Sequence, residues 1–246
     1  MTQTVNTPTV DVQQAERAIA VLAPAWTTRI IIELDDYGPL PASQQGSVFP
    51  DIPHKLRAPT LRSLQQRHLI TTRRQAEETV YDLTPAAAQL GPVYDTLNTW
   101  ARTHLPATFA APYTARVDIT LNLLRQRQAV PLLTGLAHAP RTAQDLAVAA
   151  VVNGDRRAVE ATGHQLSRLT EAGLVTQVTH PAAEAPSYAL TTAGIALLEP
   201  LEVLSAWAAE HPGVHATEAA APVLTATRFE PPSTTLTAGT LRGRAA

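Results

Sequence analysis

The tetrapeptide Tyr81-Asp82-Leu83-Thr84 recurs 107 residues further along the chain as Tyr188-Ala189-Leu190-Thr191. The apolar residues around it recur in the same order. They are Leu64, Leu69-Ile70, Leu97 and Trp100 in the first copy, and Leu169, Leu174-Val175, Leu204 and Trp207 in the second. The offset is 105 residues at the first leucine and 107 at the tryptophan, so two residues are inserted between these points. This pattern predicts a duplicated domain in which the second copy has a longer hairpin.

The composition indicates a folded protein without thiol chemistry. A chain of 246 residues is long enough for two domains, each with a small core. Hydrophobic residues make up 45% of the chain, but no apolar run approaches ~18 residues. We therefore expect no membrane span, no secretory signal and a cytoplasmic location. The chain has no cysteine, which excludes disulfides and thiolate metal sites, and we expect no cofactor.

Hydrophobic spacing divides the chain into four parts. Residues 1–11 lack a periodic face and are predicted to form a flexible arm. Residues 12–106 and 113–212 are predicted to form the two domains. Residues 213–246 contain few large apolar side chains and are predicted to be mostly disordered.

Each domain is predicted to contain three helices, a β-hairpin and a closing helix. In the first domain, the segments 26–34 and 54–67 have helical spacing, and the β-prone segments 69–74 and 79–83 have the spacing of a hairpin. The fold class is therefore mainly α with small β-hairpins (α+β). This order is that of the winged helix-turn-helix, in which the third helix enters the major groove and the hairpin lies on the neighbouring backbone.

These residues resemble the HxlR-type transcriptional regulators, which are related to the MarR group. The resemblance depends on Trp26-Thr27, the apolar run 30–34, the segment 52–70, the first tetrapeptide and Trp100. It covers about residues 16–104 and, more weakly, 118–211. It implies a bacterial DNA-binding repressor or activator that dimerises through its terminal helices. Two features depart from the family: the tandem arrangement, and the absence of the cysteine through which some members sense electrophiles.

Basic residues are concentrated on the predicted third helix and wing of the first domain. Between His54 and Arg74 the chain has no acidic residue, although acids outnumber strong bases by 21 to 19 overall. We expect this face to contact DNA phosphates, with Thr60 or Arg62 as candidates to reach base edges. The candidate residues are Lys55, Arg57, Thr60, Arg62, Arg73 and Arg74, joined by Arg156, Arg157 and Arg168 in the second domain. The alternative is a solvated surface with salt bridges to Glu77 and Glu78.

Two features weaken the case for base recognition. Pro59 removes one backbone hydrogen bond, so the third helix must bend there or begin there. In the second domain, Glu160 and Gly163 leave the corresponding helix poor in side chains suited to a DNA groove. Asp155 in that domain is explained as a helix N-cap.

Other candidate sites are weaker. The scarce tryptophans, Trp26, Trp100 and Trp207, could line a ligand cavity but are more typical of a core or a dimer seam. His211 and His215 lack a third metal ligand nearby, so we expect no metal site. No nucleophile, phosphate loop or acid–base pair is recognisable, which makes an enzyme unattractive.

Two hypotheses remain from the sequence. The first is a DNA-binding transcription regulator whose binding to double-stranded DNA is dominated by the first domain, with a small-molecule inducer as a further partner. The second is a scaffold that has lost most DNA binding and holds a protein partner or small ligand. Under both hypotheses, the duplicated apolar helix faces predict an intramolecular pseudo-dimer and therefore a monomeric chain.

Overall fold

The computed structural model describes residues 10–105, 109–150, 156–178 and 185–215. Several expectations lie outside these residues. They are the arm up to residue 9, part of the connection between the domains at 106–108, the N-cap Asp155, the turn of the second hairpin at 179–184 and the tail beyond residue 215.

The first half of the chain contains one strand, two short helices and a 3-10 turn that the sequence did not predict. Its elements are α1 (Val12–Leu22), α2 (Thr27–Tyr37), β1 (Leu40–Pro41), a 3-10 turn (Ala42–Gln44), α3 (Gln45–Val48), α4 (His54–Gln66), β2 (Ile70–Gln75), β3 (Glu78–Leu83), α5 (Pro85–Ala88) and α6 (Gly91–His104). The helix expected to enter a major groove is therefore the fourth helix, α4, rather than the third.

The second half contains the same types of element in the same order, apart from the 3-10 turn. Its elements are α7 (Tyr113–Leu124), α8 (Ala129–Gly135), β4 (Arg141–Thr142), α9 (Ala143–Ala150), α10 (Arg156–Glu171), β5 (Val175–Val178), β6 (Ser187–Leu190), α11 (Thr192–Ala196) and α12 (Leu198–Glu210). The antiparallel sheets have the orders β1-β3-β2 and β4-β6-β5. Leu40 lies opposite Tyr81 and Arg141 lies opposite Tyr188, so both repeated tyrosines occupy the same register.

The repeated threonine links three elements in each half. The hydroxyl of Thr84 accepts a hydrogen bond from the Ala87 amide, 3.3 Å away, and caps α5. It also donates to the carbonyl of His68, 2.8 Å away, where the chain leaves α4 with a left-handed φ of 58°. Thr191 caps α11 in the same way and donates to the carbonyl of Gly173 at 2.6 Å. The tetrapeptide therefore joins the wing, the end of the helix before it and the helix after it.

A single hydrophobic core extends through both halves. Helix α1 packs along α12, and α6 packs along both α7 and α12, so the first and last helices of the two halves interlock. Val214 follows α12 and is buried in this core, although the sequence placed it in the tail. No helix among the described residues is long and apolar enough to cross a membrane.

Two tryptophans make reciprocal contacts across the seam between the halves. The indole nitrogen of Trp100 donates to the carbonyl of Ala193 at 2.9 Å. The indole nitrogen of Trp207 donates to the carbonyl of Ala86 at 3.0 Å. The two tryptophans are 107 residues apart, and so are the two alanines, since 207 − 100 and 193 − 86 are equal. Both side chains are buried, as expected for residues at a seam rather than in an open cavity.

Candidate nucleic-acid interface

Helix α4 presents a polar face to solvent. Leu61 and Leu64 are buried against the core. The exposed residues follow one side of the helix at spacings of three and four. They are His54, Lys55, Ala58, Pro59, Arg62, Gln65 and Gln66. Side chains at this spacing share one helix face, which has the geometry required to lie in a DNA groove.

Pro59 lies within α4 and does not begin it. The helix begins at His54, with Pro53 as its N-cap residue, so Pro59 occupies the second turn. The alternative that the helix begins at Pro59, with Lys55 in the preceding turn, is therefore wrong. The missing N–H of Pro59 leaves the carbonyl of Lys55 without its helical donor, and both residues lie on the exposed face where water reaches that carbonyl.

Arg57 and Thr60 are turned toward the protein. The Nε of Arg57 donates to the carbonyl of Ile52, 2.9 Å away, and its guanidinium lies against Gly46 of α3. The hydroxyl of Thr60 donates to the carbonyl of Leu56 at 2.7 Å. Both side chains are partly buried. Arg57 thus ties α3 and the loop after it to the start of α4, and Thr60 already has a backbone partner.

The wing extends the basic surface beyond α4. Arg73 and Arg74 lie on β2 opposite Val80 and Thr79, and both are exposed. The amide of Gln65 donates to the hydroxyl of Thr72 at 3.3 Å, which connects α4 to this strand. The wing therefore extends the polar surface of α4.

The tip of the wing is a two-residue turn formed by residue types that are uncommon in such turns. Ala76 and Glu77 have φ values of 47° and 66°, as in the type I′ turns that match the twist of a hairpin. Such turns favour asparagine and glycine, because a β-carbon is disfavoured at positive φ. The next residue, Glu78, accepts a hydrogen bond of 2.6 Å from the Ser43 amide. Hydrogen bonding to the Ser43 side chain, and then to this amide, lowers the pKa of the Glu78 carboxyl.

Among the described residues, the basic side chains of this surface form no salt bridge with an acidic residue. A salt bridge is found on α2, between Arg29 and Glu33, 2.7 Å apart. Arg73 and Arg74 form no salt bridge there with Glu77 or Glu78, contrary to the alternative expected from the sequence. The charges on the wing are thus available for an anionic partner.

Arg67 belongs to the basic segment in sequence but not to its surface. Only 3% of the residue is exposed. Its Nη1 donates to the carbonyl of Val21 and to the hydroxyl of Thr27, and its Nε donates to the carbonyl of Ser63. Burial lowers the pKa of Arg67 to about 10. The helical spacing of Leu61, Leu64 and Arg67 is the sequence signal that could have placed this side chain on the buried face.

The comparisons with known proteins concern this same region. Residues 21–109 match the family model of the HxlR-like helix-turn-helix. The HxlR-like region thus runs from the end of α1 through α4 and the wing to the residues after α6. The match supports a DNA-binding transcription regulator. No curated protein and no solved structure matches the chain.

The second half differs from the HxlR-like region on the corresponding surface. Arg157 and Arg168 are exposed on α10, but so are Glu160 and Glu171 of the same helix. The backbone of Arg156 begins α10, and its side chain lies outside the described residues. On the strand that follows, Val178 is exposed at the position that corresponds to Arg73, 105 residues earlier. This surface therefore carries mixed charge on α10 and an exposed apolar residue on β5.

Proposed function

We propose that the chain is a DNA-binding transcription regulator with two winged helix-turn-helix units, of which the first supplies most of the binding free energy. The observation that carries this proposal is the exposed surface of α4 and the wing, where Lys55, Arg62, Arg73 and Arg74 have no acidic partner among the described residues. Cations on a groove-sized helix and the hairpin beside it suit the phosphates that border a major groove.

Arg57 and Thr60 have a different part in this proposal. Because both side chains bond to the backbone of their own unit, they position the start of α4 rather than supply contacts of their own. Base edges are then within reach of the exposed residues of the helix, namely Lys55, Arg62 and Gln66, with Ala58 and Pro59 as apolar neighbours for a thymine methyl group.

The two units form an intramolecular pseudo-dimer in this proposal. The tryptophan contacts support it, because a two-fold interface requires that when residue i touches residue j of the partner, j touches i in return. Trp100 with Ala193 and Trp207 with Ala86 satisfy that condition within one chain. We expect a monomer in solution, so light scattering should give a concentration-independent mass near 26.3 kDa. A mass of twice that value would show that the copies pair between chains.

The first unit is expected to dominate because neither α4 nor β2, which carry its basic residues, contains an acidic residue. In the second unit, Glu160 and Glu171 lie on α10 between and beside Arg157 and Arg168. Carboxylates so close to the phosphates would offset part of the attraction. The paired units would then favour an asymmetric DNA site.

The test is a comparison of matched arginine variants. Arg62→Ala and Arg73→Ala should each weaken binding to a genomic duplex and reduce the slope of log affinity against log salt by about one, measured between about 50 and 200 mM salt. Arg168→Ala should have a smaller effect. The control is Arg102→Ala, an exposed arginine at the end of α6. Equal losses from both units would contradict the dominance of the first.

The competing function is a scaffold for a protein partner or small ligand. The acidic residues of α10 and the exposed Val178 favour it for the second unit. The same experiment separates the two functions. Preferential, salt-sensitive binding of some genomic fragments supports the regulator, whereas an absence of binding at low salt supports the scaffold.

A further inference from the structure

A carboxylate beside the tip of the wing is bonded to the segment that leads into α3. Strand β1 pairs with β3 in the register that places Pro41 opposite Val80. Continued by two residues, this register would bring Ser43 opposite Glu78. The chain has left the strand by then and formed the 3-10 turn. The Glu78 side chain takes the place of the ladder, because its Oε1 accepts the hydrogen bond of the Ser43 amide at 2.6 Å.

This Ser43–Glu78 contact keeps a negative charge on the wing. Hydrogen bonding to the side chain and the amide of Ser43 lowers the pKa of the Glu78 carboxyl, so Glu78 is an anion at neutral pH. It lies on the same hairpin as Arg73 and Arg74. An anion near DNA phosphates repels them, so by charge alone Glu78 is unfavourable for the proposed function.

Two further contacts complete a connection between the wing and α4. Arg57 of α4 lies against Gly46 of α3, which follows the 3-10 turn. Gln65 of α4 donates to the hydroxyl of Thr72 on β2 at 3.3 Å. The wing is therefore held to α4 through both of its strands. The connection is direct for β2, and for β3 it runs through the Ser43–Glu78 contact and α3.

The corresponding position of the second half carries no carboxylate. The offset of 107 residues that relates Tyr81 to Tyr188 places Ala185 where the first half has Glu78. The nearby carboxylate of Asp145 accepts hydrogen bonds from the amide and hydroxyl of Thr142, at 3.2 and 2.8 Å, at the start of its own helix α9. The fold therefore forms without this contact, which is found in the half whose α4 and β2 carry the basic residues.

We propose that Glu78 is a positioning residue for DNA binding, whose bond to Ser43 fixes the angle between the wing and α4. The arginines of β2 and the cations of α4 can then engage one duplex together. Fixing the hairpin before binding reduces the entropy lost when the complex forms, and this gain outweighs the repulsion from one carboxylate. The inference rests on the proposed function, because it concerns the same surface.

The first experiment compares Glu78→Ala with Glu77→Ala. Both variants remove one carboxylate from the wing, so charge alone would strengthen DNA binding in both. Fluorescence anisotropy with a genomic duplex selected for binding should show that Glu77→Ala strengthens binding by about twofold. Glu78→Ala should weaken it by about threefold and reduce the slope of log affinity against log salt, because phosphate contacts of the wing are lost. Equal strengthening in the two variants would overturn the proposal.

A conservative variant tests the role of the hydrogen bond. Glu78→Gln keeps an oxygen acceptor for Ser43 and loses the charge, so it should bind DNA at least as tightly as the unchanged protein. The loss caused by Glu78→Ala should also shrink when Arg73 and Arg74 are both alanine, since the wing then has little contact to lose. A loss from Glu78→Gln as large as that from Glu78→Ala, or a full loss without the arginines, would contradict the positioning role.

Distances measured without DNA separate this inference from the proposed function. The chain has no cysteine, so Ala58→Cys on α4 and Ala76→Cys at the tip of the wing take spin labels only at these two positions. Double electron–electron resonance should show a wider distribution of the distance between the labels in Glu78→Ala and no change in Glu77→Ala. Equal widths would overturn the inference even if DNA binding persists. If the chain binds no duplex, the proposed function fails, whereas a widened distribution still shows that Glu78 fixes the wing.

Discussion

Arg67 lies in the basic segment of the sequence, but its side chain is buried in the core. It connects the end of α4 to the end of α1 through Val21 and to the start of α2 through Thr27. A hydrogen bond from a charged donor contributes about 1.5–3 kcal/mol, and a buried carbonyl left without its donor is costly. Arg67 therefore fixes the position of α4, the helix that we propose contacts DNA.

We expect Arg67→Met to lower the free energy of unfolding by about 2–3 kcal/mol, because the Val21 carbonyl and the Thr27 hydroxyl lose their donor. Urea unfolding followed by circular dichroism measures the change. Arg62→Met on the exposed face of the same helix is the matched control and should change stability by less than about 0.5 kcal/mol. Equal effects of the two variants would show that the contacts of Arg67 contribute little.

A second expectation concerns Asp118 on α7, beside Thr28. Burial raises the pKa of its carboxyl, so the folded protein holds the neutral form more firmly than the unfolded chain does. The resulting stabilisation is present below the ordinary aspartate pKa and is lost as the pH rises through the raised value. Asp118→Asn should therefore stabilise the protein at neutral pH and have little effect near about pH 4. Urea unfolding at both pH values tests this, and a gain independent of pH would exclude titration as its cause.

The tip of the wing combines a disfavoured backbone conformation with a negative charge. Its tip places Ala76 and Glu77 at positive φ, which costs about 1–2 kcal/mol for a residue with a β-carbon. Glu77 also brings a negative charge next to the arginines of β2. The positive φ lowers the stability of the hairpin. The negative charge opposes the DNA contact that we propose for it.

Glu77→Gly should therefore raise the free energy of unfolding by about 1 kcal/mol and also strengthen DNA binding. The change removes both the disfavoured backbone conformation and the negative charge. Glu77→Gln separates the two effects, because it removes the charge and keeps the β-carbon. Thermal unfolding and fluorescence anisotropy with a labelled duplex provide the two measurements. If Glu77→Gln and Glu77→Gly stabilise the fold equally, the backbone explanation is wrong.

The sequence predicted most of these elements from simple periodicities. The hairpin, α4 and α6 follow from the repeated tetrapeptide and from leucines at helical spacing. Strand β1 was missed because it has only two residues and depends on its pairing with β3. Helix α3 was missed because four residues without a buried side chain have no apolar periodicity.

For the candidate interface, the sequence identified the basic residues but not their orientation. Lys55, Arg62, Arg73 and Arg74 are exposed in the structure, whereas Arg57 and Arg67 are turned inward. Their partners, the carbonyls of Ile52 and Val21, are backbone atoms that carry no side-chain signature.

The protein as a whole depends on contacts that cross between its halves. Helices α1 and α12 pack together, although they lie at opposite ends of the described chain. Trp100 of α6 bonds to Ala193 of α11, and Trp207 of α12 bonds to Ala86 of α5. Each closing helix is therefore joined to the short helix that precedes the closing helix of the other half. Such an arrangement predicts that the two halves unfold together in one transition.

Trp100→Phe and Trp207→Phe test this joint stability. Each removes the donor to a backbone carbonyl of the other half and should cost about 1–3 kcal/mol. The two variants should have similar effects and should keep a single unfolding transition in urea, monitored by circular dichroism. A variant that splits the transition in two, or a loss in only one of the variants, would contradict an interlocked pair of equivalent contacts.

The packing of α1 against α12 also affects how the occupancy of a DNA site depends on the concentration of this protein. A regulator assembled from two separate subunits dissociates on dilution, so its active form decreases more steeply than the number of chains. Because α1 and α12 belong to one polypeptide, dilution does not separate them. Occupancy of a single binding site should then rise with the first power of copy number, with a Hill coefficient near one. With the monomeric assembly that we propose, a cell could therefore keep this protein scarce and still obtain a graded response.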